Sequence, residues 1–222
     1  MGITEPDVTL TDYALTAECA AFAILLLRRP DALGSLRGWF AVFFAALAAA
    51  SLFGGTVHGF FAATDTAAGR ALWSATLLAI GAAALAAWII AARVQFSPPV
   101  ARALALAAAV GFAVYAVLVL FVTQAFMVAI AGSVPASLFL VVVLALAYRR
   151  RRDRRLLVGS VGVALTLVAG VQQQLGIGVH PTYFNHNAVF HAIQAIALLL
   201  IFLSSRAVAS ASAQSDRARR QC

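Results

Sequence analysis

Four histidines, one intramembrane carboxylate and a set of side-chain amides are the residues of this chain that could do chemistry. His58 lies in the run Gly54-Gly55-Thr56-Val57-His58-Gly59, where flanking glycines let a helix or ligand approach the imidazole closely. His186 and His191 lie in the run from Tyr183 to Gln194, and Asn187, His191 and Gln194 are spaced i+4 and i+3, which puts them on one helical stripe. His186 precedes His191 by five residues, so it joins that stripe only if the first turn is irregular. Gln172, Gln173 and Gln174 are consecutive, so they cannot share one face and at least one is expected to point into the bundle, with His180 and Pro181 following them. Glu18 sits inside an apolar stretch, where an ionisable group is expensive and therefore a functional candidate. His58, His191 and either His186 or Glu18 would make a set of imidazole and carboxylate donors suited to zinc, which takes three protein ligands and an open position. Zinc-bound water can attack an ester or amide with a carboxylate as base.

The elements that carry these residues follow from hydropathy. The chain has 222 residues, 63% hydrophobic and 11% charged, against about a quarter charged in a soluble domain. Apolar runs separate at charged or Pro/Gly breaks into seven stretches, about 10–28, 38–63, 70–92, 100–123, 125–147, 156–178 and 183–204. Each is long enough to cross a hydrocarbon core that needs roughly 20 residues per helix. The expected fold class is therefore an all-α membrane protein, a seven-transmembrane-helix bundle spanning residues 1–205. Residues 206–222, rich in Ser, Ala, Gln and Arg, are expected to form a disordered basic cytoplasmic tail.

All 16 basic residues are arginine. Arg28, Arg29 and Arg37 follow span one, Arg93 and Arg102 follow span three, and Arg149 to Arg152, Arg154 and Arg155 follow span five. The tail adds Arg206, Arg217, Arg219 and Arg220, whereas the alternate set of loops holds only Arg70. The positive-inside rule puts the N-terminus outside and the C-terminus in the cytoplasm of a plasma (inner) membrane. The net charge of +8 thus reads as topology and contact with membrane lipids, not as a nucleic-acid surface. The first twelve residues hold Glu5, Asp7 and Asp12 and no arginine, which is not the basic start of a cleaved signal peptide. Cys19 and Cys222 fall at opposite ends of this topology, so no disulfide is expected. With that orientation Glu18, His58, the glutamine run and His191 all fall in the outer half of the membrane, where they would share one buried site.

The acidic N-terminal segment leading to Asp12-Tyr13 and Ala17-Glu18, the glycine-rich second span ending in His58, and the seventh span opening with His186 and His191 resemble the alkaline ceramidase superfamily, which includes the progestin and adipoQ receptors. The resemblance implies a seven-helix fold with zinc held by His58 and a pair on the last helix, His186 and His191, and hydrolysis of a lipid amide or other amphiphilic substrate. Asn187 stands where the superfamily has a histidine, Gly54 where it has a serine, and span three lacks its aspartate; Asp65, seven residues after His58, is the candidate replacement acid. The same runs also look similar to a group of bacterial seven-span proteins with no assigned activity.

Two other readings compete with a zinc hydrolase in which Glu18 and Asp65 are catalytic and Asn187, Gln194 and Gln173 bind the ligand. In a non-enzymatic binding or sensing protein the same groups would hold a lipid headgroup or another ligand. Bis-histidine haem ligation by His58 and His191 is chemically allowed. A retinal receptor is excluded because the chain has no lysine, and the absence of repeats disfavours a transporter. Oligomeric state is not legible in the sequence.

Overall fold

The computed structural model describes residues 2–28, 35–61 and 66–221, with side chains through 206 and at 208. Among the described residues seven α-helices follow in order, α1 (Pro6–Leu27), α2 (Leu36–Phe60), α3 (Ala67–Gln95), α4 (Pro98–Phe121), α5 (Phe126–Arg151), α6 (Arg154–Gln174) and α7 (His186–Gln221), and each holds a stretch long and apolar enough to span a bilayer. Because successive helices alternate in direction, the starts of α1, α3, α5 and α7 and the ends of α2, α4 and α6 gather at one end of the bundle, called here the N-terminal end.

Local chemistry sets the boundaries. Pro6 occupies the first turn of α1, where its missing N–H costs nothing. Ser35 and Thr66 cap α2 and α3 by accepting from the N–H groups of Gly38 and Gly69. Asn185 caps α7, its Oδ1 accepting from the Asn187 and Ala188 N–H groups at 2.9 and 3.1 Å. Arg152 ends α5 in the left-handed region at φ 55°. The α7 backbone continues as helix through Gln221, over the stretch where sequence composition suggests a disordered tail.

α1 packs on α2, α2 on α3, and α6 on α7, with α7 also touching α1 and α2. Small residues make these approaches possible. A side chain at Gly55 would meet the Asp12 Cβ at 2.7 Å, and one at Gly59 would meet Thr9 at 3.0 Å, so the glycines of α2 form the bed on which α1 lies. Away from the N-terminal end, Phe22 of α1 stacks on Phe202 of α7 (centroids 4.3 Å apart) and meets Phe44 of α2 edge-on at 5.3 Å. These rings lock α1, α2 and α7 together beneath the polar groups those helices carry above. α4 is the outlying helix: it leans on α3, barely touches α5, and leaves most of its surface to lipid.

Candidate functional site at the N-terminal end of the bundle

α1 starts at Pro6, so Asp12 lies about 9 Å along its axis and His191 about 7.5 Å along α7 at 1.5 Å per residue. The two meet in one layer. His191 Nε2 stands 3.4 Å from Asp12 Oδ1, with side chains only 10% and 7% exposed. The other ring nitrogen, Nδ1, is 2.9 Å from Thr11 Oγ1.

The proton inventory of this triplet is restricted. The Thr11 hydroxyl also lies 2.9 Å from Asp7 O and 3.0 Å from Val8 O, and it has one hydrogen to give. If that hydrogen goes to the backbone, Nδ1–H donates to Thr11, and Nε2 and Asp12 share a proton with no net charge on the pair. If it goes to Nδ1, Nε2–H donates to an ionised Asp12 and the pair carries one negative charge. Water is largely excluded at this depth, which disfavours the charged arrangement.

Three further contacts tie α1 to its neighbours at the same end. Glu5 Oε2 is 2.8 Å from His58 Nδ1, in a pair that is 39% and 29% exposed. The Thr4 N–H donates to Gly59 O at 3.1 Å, which holds Glu5 over the end of α2. Asp7 Oδ2 accepts from the Asn185 N–H at 3.0 Å, pinning the start of α7 to α1. Thus α1 supplies Asp7, Thr11 and Asp12, with Glu5 immediately before its first turn, and each contacts an atom on α2, on α7 or just before it.

The sequence candidates distribute unevenly over this arrangement. His58 and His191 both enter it, His58 with Glu5 just before α1 and His191 with Asp12 on α1. Gln173 Nε2 donates to Asn187 Oδ1 at 2.9 Å, and Gln172 Nε2 donates to His186 O at 3.1 Å and to Ile177 O, so these amides join α6 to the start of α7 while Gln174 is exposed. His186 is the first residue of α7, five before His191, and so lies off the Asn187–His191–Gln194 stripe. Gln194 is buried one turn beyond His191, its Oε1 without a hydrogen-bond partner. Glu18 sits about 9 Å further along α1 than Asp12, on a different face, and no hydrogen bond or ion pair joins it to a histidine among the described residues. Asp65 lies outside the described residues. His180 is used locally, its Nδ1 accepting from the Thr182 and Tyr183 N–H groups in the turn before α7.

Thr11 and Glu5 carry no sequence reading as site residues, although Glu5-Pro6 is a helix-start signal that places both relative to Asp12. A catalytic zinc needs three protein donors with lone pairs to spare. Among the described residues no three His, Cys, Asp or Glu side chains converge in that way, and both nitrogens of His191 are already engaged. The histidines and their acids form instead a buried His–Asp pair behind a more exposed His–Glu pair.

No curated protein and no solved structure matches the chain. Residues 8–210, which include both histidine pairings' α2 and α7 members, match a family described only as of unknown function, DUF6962, and the chain belongs to that family.

Proposed function

We propose that this protein is a non-enzymatic seven-helix membrane protein that binds and senses a polar ligand at the N-terminal end of the bundle, facing out of the cell. The observation that carries the reading is the double engagement of His191, whose two ring nitrogens are committed to Thr11 and Asp12. A histidine so held ties α7 to α1 and makes the buried pair sensitive to any movement of α1. The more exposed Glu5–His58 pair is where a ligand gains access. The bonded groups at this end comprise three carboxyls and two imidazoles, so a ligand presenting hydrogen-bond donors, such as an ammonium headgroup, suits it. Since Glu5 caps the start of α1, which carries Thr11 and Asp12, a ligand that displaces Glu5 from His58 shifts α1 and is felt at the buried pair.

Two measurements on the protein in nanodiscs test this. Ethanolamine and choline are titrated while the melting temperature is followed; the rise expected for wild type is absent in Glu5→Gln. Elemental analysis accompanies it, and the expected result is the same trace zinc in wild type and His191→Ala. One zinc per chain, lost in both His58→Ala and His191→Ala, would establish the hydrolase reading in place of this one.

A further inference from the structure

A second site, independent of the polar one, lies between α3, α4 and α5. A cavity of about 490 Å³ runs there, within the range of about 300–1,000 Å³ seen for ligand sites. Its floor is α3, at Gly81, Ala84 and Trp88, and its walls come from α4 and α5. Along α4 the lining extends from Leu104 to Tyr115, about 16 Å at 1.5 Å per residue, so the cavity is a slot parallel to the helix axes. Its mouth opens toward the bilayer because α4 and α5 hardly touch.

The chemistry of the slot selects its occupant. No charged side chain lines it. The Tyr115 hydroxyl donates to Leu77 O at 2.7 Å and so is already satisfied. The Tyr115 ring lies over Gly81 and Gly132, closing the slot at the N-terminal end of the bundle. An apolar space of this size does not hold water stably, and left empty it would forfeit the dispersion contacts of its walls. We propose that the slot binds one hydrocarbon chain of a membrane lipid, aligned with the membrane normal and read by Trp88, Tyr115 and the small residues between them.

The test uses the fluorescence of Trp88. In a Trp39→Phe/Trp73→Phe background Trp88 is the sole tryptophan, and the protein is placed in nanodiscs of phosphatidylcholine with or without brominated acyl chains. Bromine is expected to quench Trp88 strongly. Gly111→Leu fills the slot, since a Cβ at Gly111 meets nothing within 4 Å, and it should restore most of the lost emission. Leu106→Phe, at a residue 67% exposed on α4, should leave quenching unchanged. Should the background fail to fold, native mass spectrometry of the otherwise unaltered chain reads the same point, with one retained phospholipid per wild-type chain lost in Gly111→Leu. Quenching absent in the background protein, quenching equal in Gly111→Leu, or relief of quenching only as chains crosslink through α4, which would place a second copy in the slot, each overturns the proposal.

Discussion

Removing either member of the buried pair should cost far more than removing either member of the exposed one. Asp12 and His191 are 7% and 10% exposed and 3.4 Å apart, so His191→Ala leaves a carboxyl facing an apolar gap and Asp12→Ala leaves an imidazole nitrogen unpaired. If the pair is ionised, breaking it costs about 3–5 kcal/mol; if it shares a proton as a neutral hydrogen bond, the cost is about 1–3 kcal/mol. In both cases the second substitution adds little once the first is made, so a double-mutant cycle should give a coupling close to the single-variant cost, about 1–3 kcal/mol for the neutral pair and about 3–5 kcal/mol for the ionised one. Glu5 and His58 are closer, at 2.8 Å, but 39% and 29% exposed, so solvent screening should hold their coupling below about 1 kcal/mol. The assay is reversible unfolding in mixed micelles, with Asp12→Ala, His191→Ala and the double variant measured beside Glu5→Ala, His58→Ala and theirs. Additivity of Asp12→Ala and His191→Ala to within about 0.5 kcal/mol would refute the assignment of these two as partners. A larger coupling in the exposed pair would refute the argument that burial governs the energy.

Other outcomes follow from the same geometry. Gly55→Ala pushes a methyl group against the Asp12 Cβ, 2.7 Å away, and should destabilise the protein by about 1–3 kcal/mol through overpacking, read as a lower unfolding midpoint; an unchanged midpoint would mean that α1 does not rest on that glycine. Asn185→Ala removes the α7 cap and should cost about 1 kcal/mol, with faster hydrogen exchange at the amides of Asn187 and Ala188. Topology is read by labelling in a Cys19→Ala/Cys222→Ala background. An impermeant maleimide added to intact cells should modify Gly2→Cys and spare Arg151→Cys, both at exposed positions; the reverse pattern would invert the orientation read from the arginines.

Hydropathy and arginine placement determine the seven spans and their expected direction, because each depends only on residues near one another along the chain. The sequence also determines that His58 closes the second span and that Asn187, His191 and Gln194 form one stripe. Which carboxylate meets His191 was decided by tertiary structure. Read from the apolar run alone, Glu18 is the intramembrane acid of the first span and Asp12 is peripheral. Because Pro6 starts the helix earlier, Asp12 moves about 9 Å inside it and Glu18 passes beyond the polar layer to another face. The start of α7 was decided in the same way: the Asn185 cap sets His186 as the first helical residue and so turns it off the stripe. The glycines beside His58, which the sequence offers as room for a ligand or a helix, are taken up by α1. A one-dimensional pattern fixes depth and face within each helix, but the partner across an interface depends on how two helices are rotated and staggered. That is set by where the small residues let them approach.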